Sequence, residues 1–158
     1  MKGEKGMARA SAPGPDLERW AEEGRRTILD IADMLGVSAE TYCGDPLSLV
    51  PVLQNYVSRL PLDQFEQSDW ITLHTDLMAY TADFLIRKHG ARWRVVDDPA
   101  APRGYRYVIE AEGRDGETRT IDPTDVVRAE FSYPAVEITR MLASAELTLR
   151  LAPQEADN

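Results

Sequence analysis

The hydrophobic period of the chain changes at Gly90, and this change restricts the possible folds more than any other feature. Before it, QSDWITLHTDLMAYTADFLIRKH sets Trp70, Ile71, Leu73, Leu77, Met78, Tyr80, Phe84 and Leu85 on one broad face at 100° per residue. That is the pattern of a long amphipathic helix. After it the side chains alternate, in RWRVVD from Arg92, in YRYVIEAE from Tyr105 and, more weakly, in ETRTID from Glu117. Alternation at a period of two is the signature of strands with one face inward. The connections DDPAAPRG and GRDG are short, and Asp115-Gly116 is a good tight-turn pair, so the three strands read as an antiparallel meander.

Helices are expected on both sides of the meander. Asp16 is placed to cap a first helix whose apolar stripe runs through Leu17, Trp20, Ala21, Gly24, Ile28, Ile31 and Leu35 and stops at Gly36. Residues 37–46 read as a connector, and a second helix is expected over about 47–60, with Pro51 in its first turn and Pro61 ending it. Asp63 and Glu66 have capping-box spacing ahead of the long helix. Asp122-Pro123 opens a short helix through about Phe131, and a last helix starts near Pro134 with Ile138, Met141, Leu142, Ala145 and Leu149 on one side. The fold class is α+β: N-terminal helices, a three-stranded antiparallel meander, then C-terminal helices. We expect one domain over residues 15–152, a disordered leader over 1–14 and a disordered tail over 153–158.

Composition narrows the function classes. With 18 basic and 27 acidic residues among 158, the formal charge is −9, so a nucleic-acid partner is not expected, since binding phosphates takes a basic surface. No apolar run approaches the roughly 20 residues that span a bilayer, and no apolar stretch of signal-peptide type follows the basic start. No membrane partner is expected, and the location is read as cytoplasmic. One cysteine and two histidines leave little for a metal site, and Cys43 would be a nucleophile only beside a histidine. GxSxG, P-loop, HExxH, CxxC and GxGxxG motifs are all absent. Neither a cofactor nor a metal is expected.

The run LMAYTADFLIRKHGARWRVV, followed by a hairpin and then IDPTDVV, resembles a group of uncharacterised bacterial small α+β domains. Their pattern is a helix with an acid near its end, a Gly-x-x-Trp strand, a hairpin and a proline-initiated helix. The matching positions are Leu77, Ala79, Tyr80, Asp83, Gly90, Trp93 and Pro123, within about residues 65–135. Met78 and Ala82 stand where small residues, often glycine, are expected, and Asp83 where glutamate is usual. The resemblance implies a fold and no chemistry.

Among single residues, His74 lies near the centre of the long helix's apolar face with Thr81 seven residues on. The pair is either the floor of a pocket with a general base, or a core histidine on a backbone carbonyl with a threonine bonding back along its own helix. Asp69, Asp76 and Asp83 recur every seven residues, about 10 Å apart along the axis, too far to share one ion, and read as a solvated face. His89 sits in the last turn, where the helix dipole favours a cation. On the meander, Trp93, Val95, Tyr105, Tyr107 and Ile109 share one face, while Arg94, Arg106, Glu110 and Glu112 take the other. The charged face, Arg94, Arg106 and Glu110 above all, or an edge strand, is a candidate surface for a partner peptide. Two functions follow. One is a non-enzymatic interaction domain, chaperone-like or regulatory, binding another protein or a second copy as a homodimer. The other is an enzyme of unrecognised class, with His74 and a nearby carboxylate in a pocket.

Overall fold

The computed structural model describes residues 14–151, so the expected leader and tail lie outside the described residues, apart from Gly14. In chain order the elements are α1 (Leu17–Met34), α2 (Ala39–Gly44), a 3-10 turn (Pro46–Leu49), α3 (Val50–Ser58), a second 3-10 turn (Leu62–Gln64), α4 (Gln67–His89), β1 (Arg92–Asp97), β2 (Tyr105–Glu112), β3 (Thr118–Ile121), α5 (Pro123–Glu130) and α6 (Ile138–Thr148). The fold is α+β as expected, with the sheet in the order β1-β2-β3 and both pairs antiparallel.

Local chemistry sets most of the element ends. The Asp16 carboxylate accepts from the Arg19 N–H at 3.1 Å and caps α1. Gly90, at φ +70°, ends α4 in the left-handed conformation and turns the chain directly into β1. Asp122 accepts from the Thr124 N–H at 2.9 Å, and Pro123 opens α5 behind it. In the β2–β3 hairpin Gly113 leaves no space for a side chain. A Cβ there would stand 2.8 Å from the Leu149 carbonyl oxygen, because the end of α6 packs against the turn.

The core forms around α4. Leu77, Tyr80 and Leu85 are fully buried, with Ile28 of α1, Leu49, Ile109 of β2, Val127 of α5, and Ile138, Met141 and Leu149 of the last helix and its cap. Trp93 and Ile109 face each other across β1 and β2 on the inner side of the sheet.

Four expectations change. Residues 37–46 are not a bare connector, because Ser38 caps α2, whose Tyr42 is fully buried. The capping box ahead of α4 is Glu66 with Asp69 rather than Asp63 with Glu66: Asp69 accepts from the Glu66 N–H at 3.0 Å, and the helix begins at Gln67 as read. The last helix begins at Ile138 rather than near Pro134. Gln54 holds its start, donating to the Val136 carbonyl at 3.1 Å and accepting the Ile138 N–H at 2.7 Å. Finally, α4 is covered on more sides than its stripe shows. Every residue from 79 to 85 is buried, Asp83 included, whereas Ile71 near the first turn is 57% exposed.

Candidate binding cleft

The structure separates the residues singled out in the sequence. His74 is half-buried, with its Nδ1 2.9 Å from the Trp70 carbonyl, so that nitrogen carries the proton and donates. Its ring stacks on Phe131 at 4.8 Å between centroids and lies 5.9 Å from Trp70. Thr81 is fully buried and donates to the Leu77 carbonyl of its own helix at 2.8 Å. His74 and Thr81 thus each have a backbone partner one turn back, and the structure does not join them into one site. The histidine with a carboxylate is His89, whose Nε2 is 2.7 Å from Glu146 of α6, with the Lys88 ammonium 3.9 Å from the same oxygen. Cys43 is exposed. Among the described residues no group of three or more His, Cys, Asp or Glu side chains is placed to hold a metal.

The charged sheet face is ion-paired internally, with Glu110 Oε1 and Arg106 Nε buried without an aligned hydrogen bond among the described residues. Glu110 on the central strand is buried to 8% exposure and receives Arg92 and Arg94 from β1, each at 2.7 Å. Arg106 belongs to a different cluster, 2.8 Å from Asp98 in the β1–β2 loop, 2.9 Å from Asp122 and 3.8 Å from Asp125. Arg94 and Glu110 therefore form one knot and Arg106 another. Asp83 is the clearest departure from a solvated face. It accepts from the Tyr42 hydroxyl at 2.6 Å and from Arg87 at 2.7 Å, with the guanidinium 5.6 Å over the Tyr42 ring. Burial first, and then the hydrogen bond to Asp83, push the Tyr42 hydroxyl well above the ordinary tyrosine value.

The opening with the most binding chemistry lies at the hairpin end of the sheet. A cleft of about 400 Å³ is lined by Tyr105 and Tyr107 from one face of β2 and by Arg106 from the other. Residues of both faces of one strand meet only along its edge, so the cleft runs along the side of β2. Its opposite wall is the start of α5, with Thr124, Asp125 and Arg128, and Met78 of α4 also lines it. This is the side from which β3 is missing: β3 pairs only with residues 109–112 of β2, while β1 pairs as far as Tyr105.

The ladder parity shows which backbone groups point into the gap. Asp98 donates to the Gly104 carbonyl at 2.9 Å, and Gly113 donates to the Glu117 carbonyl at 2.8 Å. Hydrogen bonds alternate along antiparallel strands, so even-numbered residues of β2 face β1 and odd-numbered ones face β3. Tyr105 and Tyr107 thus aim their N–H and C=O groups past the end of β3, where no described residue takes them up. Pro123 would be the next partner in register, and it has no N–H to give to a ladder.

Aromatic rings and a cation with no ion pair among the described residues border this edge. Trp20 of α1 stacks on Tyr107 at 4.0 Å and 9°, meets Trp93 edge-on at 5.5 Å, and Tyr105 meets Tyr107 edge-on at 5.6 Å. The Tyr107 hydroxyl accepts the Asp16 N–H at 3.2 Å, fixing the ring. The Trp20 indole N–H is buried without a hydrogen-bond partner among the described residues. A second opening, of about 620 Å³, continues past Gly14, Asp16, Arg19 and Glu23 and shares Trp20, Arg103, Tyr105 and Tyr107 with the first. Arg19 pairs with Glu23, and Arg128 pairs with Asp125. Arg103, in the loop between β1 and β2, lines both openings and forms no ion pair with a described residue.

Sequence reasoning placed the aromatics on one face and named an edge strand as an alternative surface. It missed Trp20 and Arg103. The signal available was the unequal length of the alternating runs, eight residues in YRYVIEAE against six in ETRTID, followed at once by Pro123.

No family model, curated protein or solved structure matches the chain. The resemblance over about residues 65–135 therefore rests on the quoted residues alone. No described helix is long and apolar enough to cross a membrane.

Proposed function

We propose that this chain is an interaction domain that binds another protein at the cleft beside β2, without catalysing a reaction. The observation that carries the reading is the open edge of β2 at Tyr105 and Tyr107, walled by Trp20 and by the start of α5. Backbone donors and acceptors with aromatic walls suit a protein partner, because the backbone supplies affinity and the rings supply contact area at low entropic cost. The resemblance to small bacterial α+β domains is kept as part of this reading, as is a cytoplasmic location. The enzyme reading draws less support, since His74 has its Nδ1 proton on a backbone carbonyl and its ring against Trp70 and Phe131.

A photo-crosslinking amino acid placed at position 102 of the full chain, in the native cells, tests the reading. Pro102 is exposed and lines the cleft; Leu147, 63% exposed on α6, serves as the comparison site. Adducts with another protein should form from position 102 and not from 147. Absence of any adduct from 102, or equal yields from both positions, would overturn the reading.

A further inference from the structure

The form of the partner follows from what the cleft leaves unsatisfied. We propose that the cleft accepts an extended peptide segment of a partner protein, laid along β2 in line with β3, with an acidic side chain against Arg103. This inference rests on the reading that a protein partner binds at the cleft.

Three observations select that occupant. The first is the backbone. Tyr105 and Tyr107 offer an N–H and a C=O each along one side, spaced as in any strand, and a strand is the element that matches alternate pairs of this kind. A helix has no free backbone groups on its sides to give them. The second is position. β3 stops pairing at Ile121, and the chain departs through Asp122 and Pro123 into α5. The place beyond Ile121 is the one a longer β3 would fill, and α5 stands back from β2 far enough to leave the cleft of about 400 Å³. A segment of three to five residues would cover the two tyrosines at about 3.3 Å per residue.

The third observation is charge. Arg19, Arg106 and Arg128 have carboxylate partners, and the Asp16 carboxylate caps α1. Among the described residues Arg103 is the cation on the rim with none, on a loop that borders both openings. An acidic side chain of the peptide would supply its missing partner, in a geometry where the guanidinium can grip both carboxylate oxygens. Beside it, the rings of Tyr105, Tyr107 and Trp20 line both openings and give the neighbouring side chains of the peptide an apolar surface.

The test uses the full chain and a displayed library of random nonapeptides, selected in parallel on the unaltered protein and on Arg103→Glu. Peptides recovered on the unaltered protein should carry Asp or Glu at one position, and those recovered on R103E should carry Lys or Arg there. Recovered sequences are then synthesised with single backbone N-methyl groups. Methylation at every second residue should weaken binding about tenfold or more, and methylation between them should have little effect, because only alternate N–H groups of a strand face β2. The amide resonances of Tyr105 and Tyr107 should shift on titration. Failure to recover any peptide, indifference to N-methylation, or the same residue preference on R103E would each overturn the proposal. Should position 102 still crosslink to another protein in those cases, the strand proposal alone has failed. If position 102 crosslinks to nothing, the interaction reading has failed with it. An adduct between two copies of this chain would put a second copy in the cleft and overturn the peptide of a partner.

Discussion

Replacing Phe84 with alanine should destabilise the fold by about 3–5 kcal/mol, the range for removing a large ring from a core. Phe84 is 1% exposed, on the stretch of α4 that is buried all round. Its ring touches more than the core. The Lys88 ammonium lies 5.5 Å from the ring centroid, and His89 meets it edge-on at 5.9 Å. The ring also lines an opening of about 400 Å³ with Leu47, Val50, Pro51 and Leu142, so truncation deepens an existing gap between α3 and α6. Urea unfolding of the variant and the unaltered protein measures the difference, with the slope unchanged and the midpoint lowered. A loss below about 1 kcal/mol would mean that Phe84 does not hold these helices together.

Asp83→Ala should cost about 3 kcal/mol, more than an ordinary surface acid, because it breaks a buried ion pair from one side. The carboxylate satisfies Tyr42 and Arg87 together, and its loss leaves a fully buried phenol without an acceptor. Arg87 is a quarter exposed and regains water, which sets the cost at the lower end of the range for such pairs. Asp83→Asn keeps an acceptor and should lose about half as much. A cost near zero for the alanine variant would show that Asp83 behaves as the solvated acid its sequence spacing suggested.

The same cluster predicts a response to alkali. The unfolded chain releases the Tyr42 proton near the ordinary value of 10.0, whereas the folded protein holds it to well above that. Stability from this group is therefore complete below about pH 10 and falls as the pH rises further, by up to about 1.4 kcal/mol per pH unit. Tyr80, also raised by burial and donating to the Pro46 carbonyl, acts in the same direction. In Tyr42→Phe the alkaline loss should be shallower than in the unaltered protein. An unchanged slope above pH 10 would contradict the assignment.

Several features were legible from residues alone because their causes are local. β1 and β2 occupy the expected residues, and α5 begins at Pro123 behind its capping aspartate, since alternation, turn residues and caps act over a few positions. Gly90 ended the long helix as expected. The misreadings also have physical reasons. Six residues are too few to show a helical period, so α2 passed as a connector, and with it went the element whose Tyr42 reaches 41 positions along the chain to Asp83. A heptad of aspartates looks solvated when only its own helix is considered.

The order of helices and strands, the change of period at Gly90 and the pairing of the hairpins were determined by the sequence by itself. Local conformational preference and short-range hydrogen bonding are sufficient to specify them. Only the tertiary structure decided which polar groups go inside and which backbone edge stays open. Asp83, Glu110 and Glu130 are buried because partners from other elements meet them: Tyr42 of α2 at Asp83, Arg92 and Arg94 at Glu110, and Arg140 at 2.6 Å from Glu130. Tyr105 and Tyr107 face a cleft because α5, packed against α4, carries the chain away from the sheet after four residues of β3. Burial and edge exposure depend on where distant segments lie, and periodicity along one segment has no information about that.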